Sequence, residues 1–159
     1  MLNCKLQGVF MKKLLNFENQ ILDIENIDFI KFGLTSQAGL SDQYDIVAYN
    51  IDGTEHLLFS SFDLNLALKQ CENIQNQLKA NKIYSLAQVG HNFVNLEYMR
   101  NLGVIIKSIK GQVFFTLKFE SKKSCCQYEI YNGRSEVANK LKLQLLKLYN
   151  DYKKQNIFE

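Results

Sequence analysis

The chain has 159 residues, of which 47% are hydrophobic and 22% are charged, and its formal net charge is +3. This size and composition are those of one ordinary globular domain, which can bury a core without disulfides or metals. No apolar run approaches the roughly 20 residues that cross a bilayer, so a transmembrane segment is excluded. The first residues also lack the pattern of a secretory signal, and we therefore expect a cytoplasmic location.

Residues 1–11 are set apart as an N-terminal extension whose native status stays open, because Met11 would serve equally well as a start. A first structural unit is predicted over residues 12–81. Strand-like residues, rich in β-branched and aromatic types, dominate 21–32, and a polar loop follows. Two further strand-like runs flank Asp52-Gly53, a dipeptide that favours a tight type I′ turn. The first unit is therefore predicted to contain a β-hairpin centred on that dipeptide.

A helix closes the first unit. It is predicted to begin after Ser61 or Asp63, whose side chains suit an N-cap, and to end near Ala80. Its apolar residues recur at three- and four-residue spacing, which is the pattern of a helix with one apolar face. These residues are Leu64, Ala67, Leu68, Cys71, Ile74 and Leu78.

A second unit, residues 82–154, repeats the order of the first. Strand-like segments are predicted at 83–86 and at 93–109, with a break near Gly103. A hairpin and the longest helix follow, and residues 155–159 are expected to form a tail. The apolar face of this helix carries Val137, Leu141, Leu145, Leu148 and Tyr152.

The hairpin of the second unit contains a strand of alternating character, which is typical of a half-buried strand. The residues predicted to point inward are Val113, Phe115, Leu117 and Phe119. Phe114 and Lys118 then point outward, and Gln127 and Tyr131 of the partner strand are expected on the same outer face. The turn between the two strands, SKKS, is polar and charged.

Residues 21–30 and 93–102 have nearly the same order of apolar and polar residues, 72 positions apart. The residue class agrees at eight of the ten aligned positions, against about five expected by chance for this composition. We therefore predict an α+β protein made of two tandem repeats, each an antiparallel sheet of about four strands followed by one helix. A lone unit would leave a sheet edge or face exposed, so the repeats are expected to pack as a pseudo-twofold pair.

The two halves of the chain differ in charge. Residues 1–80 contain six Lys and ten acidic residues, a net charge of −4, whereas residues 81–159 contain thirteen Lys plus Arg and six acidic residues, a net charge of +7. A basic half can supply phosphate contacts and accelerate encounter with an anionic partner. The second unit is therefore the half that we expect to bind nucleic acid.

A surface for single-stranded nucleic acid is predicted on the outer face of the second sheet. Exposed aromatic rings can stack on bases while lysines hold phosphates, and this face offers both residue types. The predicted contact residues are Lys107, Lys110, Phe114, Lys118, Lys122, Lys123 and Tyr131. The alternative is an ordinary solvated face, with Phe114 packed under the first unit.

Residues that support catalysis or metal binding are sparse. His56 lies in a predicted strand and His91 follows Gly90 in a loop, and neither has Cys, Asp or Glu at metal-ligand spacing. The four cysteines lack C-x-x-C spacing, and a disulfide between adjacent Cys125 and Cys126 is strained, so free thiols are expected. No glycine-rich phosphate loop is present. We therefore predict a non-enzymatic protein with no metal site, no cofactor and no small-molecule substrate.

The order strand-strand-strand-strand-helix, predicted twice over roughly residues 12–152, resembles that of the Whirly and PUR-type proteins. Those proteins bind single-stranded DNA or RNA on the sheets of two such units, so the resemblance implies the same class of ligand. A shorter segment, HNFVNLEYM at 91–99, is similar to part of the LytTR-type DNA-binding domains. The long lysine-bearing turn and terminal helix depart from the LytTR pattern, so no functional residue is carried over from either family.

Two functions therefore compete. The first is a nucleic-acid-binding protein that holds single-stranded DNA or RNA on its basic second unit. The second is a protein-interaction or self-assembling accessory module without nucleic acid. Its exposed sheet edges or a helix face would bind another protein chain, or its basic half would dock on the acidic half of a neighbouring copy in a homo-oligomer. A membrane partner is not expected.

Overall fold

The computed structural model describes residues 13–18, 20–36 and 39–157, with side chains described up to residue 155. The N-terminal extension and Cys4 lie outside the described residues, as do residues 158–159 of the predicted tail. Within the described range the chain has an α+β fold, in which antiparallel strands form three sheets and two α-helices cover them. None of the helices in this range combines the length and apolar character needed to cross a membrane.

The first half contains five strands and one helix. They are β1 (Leu14–Phe17), β2 (Gln20–Asp23), β3 (Ile27–Thr35), β4 (Gln43–Asn50), β5 (Glu55–Ser61) and α1 (Leu64–Ala80). A short 3-10 turn, Ile24–Asn26, separates β2 from β3. Segment 21–32, predicted as one strand-like stretch, is divided there because the Asp23 carboxylate accepts the backbone N–H of Glu25 and turns the chain.

The second half also contains five strands and one helix. They are β6 (Leu86–Val89), β7 (Asn92–Asn95), β8 (Met99–Ile109), β9 (Gln112–Ser121), β10 (Gln127–Gly133) and α2 (Ser135–Ile157). The strand predicted at 83–86 begins only at Leu86, and the break expected near Gly103 falls at 96–98. Helix α2 continues to Ile157, so the predicted tail begins as helix.

The strands combine into sheets of five, three and two strands, in the orders β5-β4-β3-β7-β6, β10-β9-β8 and β1-β2. The sheet of about four strands that we predicted for each unit is therefore not formed by the described residues. The reason is that hairpin β6–β7 of the second half joins the sheet of the first half, where Phe29 lies opposite Val94 and Ile30 opposite Phe93. Strand counts within a unit follow from local pattern, whereas the choice of partner strand is a long-range event.

Two hydrophobic cores support these sheets. Helix α1 packs against β5, β4 and β1, and its Cys71, Ile74 and Leu78 enter the first core. Helix α2 packs against β9, β8, β10 and β6, and its Leu145 enters the second core, which also contains Phe29 of β3. The second core therefore joins the two halves of the chain.

The predicted helix pattern is largely confirmed. Helix α1 begins after Asp63, whose carboxylate accepts the N–H of Asn65 at 2.9 Å, and this is one of the two N-caps that the sequence allowed. Of its predicted apolar stripe, only Leu64 is exposed, because it lies in the first turn. On α2, the predicted side chains of Leu141, Leu148 and Tyr152 pack against the second core.

The hairpin at Asp52-Gly53 is confirmed, but its turn differs from the predicted one. Only Gly53 takes a left-handed backbone (φ 87°), and its N–H donates to the carbonyl of Asn50 at 3.0 Å. The Asn50 N–H donates to the Thr54 carbonyl at 2.8 Å, so the loop spans residues 51–53. It contains one left-handed residue, whereas a type I′ turn needs two. That geometry occurs instead between β8 and β9, where Lys110 (φ 50°) and Gly111 (φ 79°) are both left-handed.

Candidate nucleic-acid interface

The predicted interface lies on the three-stranded sheet β10-β9-β8, whose inner face packs against α2. Leu117 and Phe119 point inward into the second core, as the alternation predicted. Val113 does not, because β9 extends past the end of the core at that point and leaves the side chain 57% exposed. Phe114 and Lys118 alternate with the inward residues and lie on the outer face.

On the outer face, Phe114 lies directly opposite Lys107 of β8, and Lys118 lies opposite Glu129 of β10. Phe114 is half-buried rather than freely exposed. Between them, Thr116 is fully buried and its hydroxyl donates to the Asn132 side chain at 2.8 Å. The face is therefore a packed polar surface with one aromatic ring, and not an open row of rings.

Acidic residues offset part of the positive charge on this face. Lys107 forms an ion pair with Glu129 at 2.7 Å, and Arg100 forms one with Glu120 at 2.6 Å. Lys118 instead donates to the neutral side chain of Gln127 at 2.5 Å, so its charge is not compensated by that contact. Among the predicted residues of the face, Lys118 is the cation best placed to hold a phosphate.

Tyr131 does not lie on the outer face, and this prediction was wrong. A β-bulge between Glu129 and Tyr131 inserts one extra residue into β10, so that Tyr131 lies opposite the inward-pointing Leu117. The ring packs against the second core, and its hydroxyl accepts the backbone N–H of Arg134 at 2.9 Å. A shift of one residue exchanges the two faces of a strand, which is why simple alternation misplaced this ring.

The remaining predicted lysines lie at opposite ends of β9. Lys110 occupies the tight turn before the strand, whereas Lys122 and Lys123 occupy the turn after it. Ten residues of strand separate the two turns, a distance of about 30 Å at roughly 3.3 Å per residue. The structure therefore brings Lys118, Lys122 and Lys123 toward one end of the sheet and leaves Lys110 at the other.

The turn that carries Lys122 and Lys123 is hydrogen-bonded to a buried carboxylate, which no predicted motif contained. Asp28 of β3 is fully buried. It accepts three hydroxyl hydrogen bonds, which come from Ser121 (2.5 Å), Ser124 (2.6 Å) and Tyr128 (2.8 Å). The only signal in the sequence is one acidic residue inside the apolar run IDFI.

Backbone hydrogen bonds add to this anchoring. The Ser121 hydroxyl oxygen accepts the N–H groups of Lys123 and Ser124, and the N–H of Lys122 donates to the Tyr98 carbonyl at 2.7 Å. Burial, together with the nearby Asp28 carboxylate, raises the pKa of Tyr128, so its hydroxyl stays protonated as a donor. We call residues 121–126 the basic turn, and these hydrogen bonds hold its backbone.

An aromatic ring lies beside the basic turn. The Lys123 ammonium lies 5.6 Å from the ring centroid of Tyr98, within the range of a cation–π contact. The Tyr98 hydroxyl donates to the Glu25 carbonyl at 2.7 Å, which fixes the ring between the two halves of the chain. Burial and the charge of Glu25 raise the pKa of Tyr98. Tyr98 was not among the predicted contact residues, although it precedes β8 in the repeated segment.

The histidines and cysteines of the described range lie in different surroundings. The His91 ring packs against Phe32 with centroids 5.4 Å apart, and His56 is exposed on β5. Cys71, Cys125 and Cys126 are free thiols, as predicted. No group of three or more His, Cys, Asp or Glu side chains within 13–18, 20–36 and 39–157 is arranged to hold a metal ion.

Comparisons with protein-family models, with curated proteins and with solved structures give no match to this chain.

Proposed function

We propose that this protein binds single-stranded DNA or RNA through its basic second half, with the basic turn as the centre of the contact. The observation that carries the proposal is the anchoring of Lys122 and Lys123 on a backbone fixed by the buried Asp28. A rigid cationic turn loses little conformational entropy when phosphates bind. Lys118 and the half-exposed ring of Phe114 extend the contact along the outer face of the sheet.

Each group has a distinct role in this proposal. The lysines of the basic turn hold phosphates and release counterions, which gives affinity without sequence preference. Phe114 and Tyr98 offer ring surfaces on which bases can stack. Lys107 is already paired with Glu129, so it contributes little until that ion pair opens. The three free thiols are compatible with the cytoplasm as the proposed location.

We also infer that the two halves are copies of one unit. The first residues of β1 and β6, of β2 and β7, of β3 and β8, and of β5 and β10 are all 72 positions apart, and those of the helices are 71 apart. Asp23 and Asn95, also 72 apart, each accept the N–H of a glutamate two residues later. Five strands precede each helix, one more than in the Whirly and PUR-type order, so the proposed relationship to those families rests on repetition rather than on strand count.

A fluorescence anisotropy titration with a labelled oligonucleotide tests the proposed contact. We expect the double substitution Lys122→Glu and Lys123→Glu to weaken binding at least tenfold. It should also reduce the slope of log affinity against log salt by about 1.4, because two phosphate contacts are lost. The matched control is Lys140→Glu with Lys147→Glu, which makes the same charge change on exposed positions of α2. Equal losses in both variants would assign the effect to net charge and reject the basic turn as the site.

The outer face of the sheet is tested separately. Lys118→Glu together with Phe114→Ala removes a lysine that has no ion pair within the described residues and the ring of this face, and we expect it to weaken binding at least tenfold, as the basic-turn variant does. Circular dichroism of the variant confirms that the sheet is intact before affinity is compared. Unchanged affinity in this variant would restrict the interface to the basic turn.

The second candidate function, self-assembly, is favoured by a specific observation. Strand β8 ends its sheet, and β2 ends the two-stranded sheet, so each has one edge without a partner strand within the described residues.

A further inference from the structure

The two short hairpins, β1–β2 and β6–β7, have the same local construction. In each, the residue after the second strand donates its N–H back to the residue preceding the first strand. Ile24 donates to the Lys13 carbonyl at 2.9 Å, and Leu96, 72 positions later, donates to the Ser85 carbonyl at 2.6 Å. Each hairpin also contacts the helix of its own half. The hairpins are therefore interchangeable in backbone geometry.

Their surroundings differ at one edge. Strand β7 pairs with β3, and this buries Phe93 completely, whereas the corresponding residue of β2, Ile21, is 69% exposed. Strand β2 pairs with no second strand among the residues that the structure describes, although the Gln20 side chain donates to the Leu57 carbonyl of β5 at 3.3 Å. An apolar side chain on an unpaired strand edge is a ready template for another strand.

The complementary edge is on β8, which is the counterpart of β3. Strands β3 and β8 begin 72 positions apart, and each is the first strand of a three-strand meander, β3-β4-β5 and β8-β9-β10. The edge of β3 is covered by β7, but that of β8 is uncovered within the described range. Ile105 and Ile106, further along β8, are exposed.

We propose that β2 of one copy of this protein pairs with β8 of a second copy, repeating between chains the contact that β7 and β3 make within the chain. This inference rests on the proposed duplication of the unit. Because the contact uses different surfaces on the two partners, it is head-to-tail and leaves a free β2 edge and a free β8 edge at the ends of every assembly. Self-association then depends on concentration and does not stop at a dimer.

The register follows from the 72-residue offset. The pair Ile30 and Phe93 within the chain becomes Leu102 of one copy opposite Ile21 of the other. Two residues further along in the same register, Arg100 lies opposite Asp23, which places opposite charges across the contact, although Arg100 is also paired with Glu120 of its own chain. The register of β8 shifts between Arg100 and Gly103, so that Asn101 (φ 53°) and Leu102 both lie in a bulge. Leu102 also packs against the second core, and the proposed pairing with β2 spans this bulge.

Charge over the whole chain acts in the same direction. The half that carries β2 has a net charge of −4 and the half that carries β8 has a net charge of +7. A head-to-tail contact brings an acidic half against a basic half at every junction, whereas a twofold contact between two β2 edges or between two β8 edges would bring like halves together. Attraction between the halves favours the head-to-tail arrangement and weakens as salt screens it.

Sedimentation velocity of the full chain without nucleic acid tests this contact. We expect the wild-type protein to show mass increments of 18.5 kDa as its concentration rises. Ile21→Asp should weaken association at least about tenfold, because it removes the side chain that the contact buries. The control is Leu143→Asp on α2, which is 67% exposed and lies outside the contact, and it should associate like the wild type.

Mixing two defective variants tests the head-to-tail arrangement. Ile21→Asp damages the β2 edge, and Arg100→Asp, which places like charges opposite each other, damages the β8 edge. Arg100→Asp also removes the ion pair with Glu120, so circular dichroism of this variant confirms that its sheet is intact before the mixture is measured. We expect each variant to be monomeric alone and the mixture to form a one-to-one complex through the two intact edges. A mixture that stays monomeric, a wild type that stays monomeric up to millimolar concentration, or equal losses in Ile21→Asp and Leu143→Asp would each overturn the proposal. The oligonucleotide titration of Ile21→Asp reports on nucleic-acid binding separately.

Discussion

Hairpins β1–β2 and β6–β7 are nearly identical in length, spacing and backbone hydrogen bonding, yet one is buried in a five-stranded sheet and the other keeps an exposed edge. Local sequence therefore determines the hairpin, but the strand beside it determines how much each residue stabilises the fold. Ile21 and Phe93 occupy the same place in their hairpins and differ from 69% exposed to fully buried. Asp28 and Arg100, also 72 positions apart, differ in the same way, because one is buried and the other lies at the surface.

The largest contrast is expected at the hairpin edge. Phe93→Ala should lower the free energy of unfolding by about 3–5 kcal/mol, because it leaves a cavity in the first core. Ile21→Ala, at the corresponding exposed position, should change it by less than about 0.5 kcal/mol. Urea denaturation at micromolar concentration, where self-association is minimal, measures both. Similar losses in the two variants would mean that β2 is covered as fully as β7.

A slightly smaller contrast is expected between Asp28 and Arg100. Asp28→Ala should cost about 3 kcal/mol of unfolding free energy, because three hydroxyl groups, two of them on the buried residues Ser121 and Tyr128, lose their acceptor. Arg100→Ala, on the surface, should leave stability nearly unchanged. Because the same network holds the basic turn, Asp28→Ala should also raise the hydrogen-exchange rates of the amides of Lys123 and Ser124. Protected amides in this variant would show that the turn is fixed by other contacts.

The smallest effect is expected from the buried thiol, with the exposed thiol of Cys125 as its comparison. Burial raises the pKa of Cys71 to about 11. Between the ordinary thiol pKa and that value, the Cys71 thiol of the unfolded chain loses its proton while that of the folded chain keeps it. The free energy of unfolding is therefore unaffected by this thiol below the ordinary pKa, and it falls as pH rises above that pKa. Wild-type protein and Cys125→Ala should therefore lose stability between pH 8 and pH 10 more steeply than Cys71→Ala. Equal slopes in all three proteins would show that Cys71 does not control this pH dependence.

The candidate site was predictable only in part. An alternating strand predicted that Lys118 lies on the outer face of β9, and a polar sequence predicted that Lys122 and Lys123 lie in the turn after it. The structure has both features, since they are local. Tyr131 was misplaced because a bulge is invisible to period-two alternation. The ion pair between Lys107 and Glu129 and the anchor at Asp28 join residues 22 and 93 or more positions apart, and no local pattern encodes such contacts.

The sequence by itself determined the helices and the hairpins, because side-chain periodicity, capping residues and turn glycines act over a few neighbouring positions. Only the tertiary structure decided that β6–β7 would complete the sheet of the first half, which strand edges would stay open within the described residues, and that Asp28 would be buried while Arg100 lies at the surface. These outcomes depend on which distant strands pair and in which register. Alternative pairings differ in how the whole core packs, and no single stretch of residues decides between them.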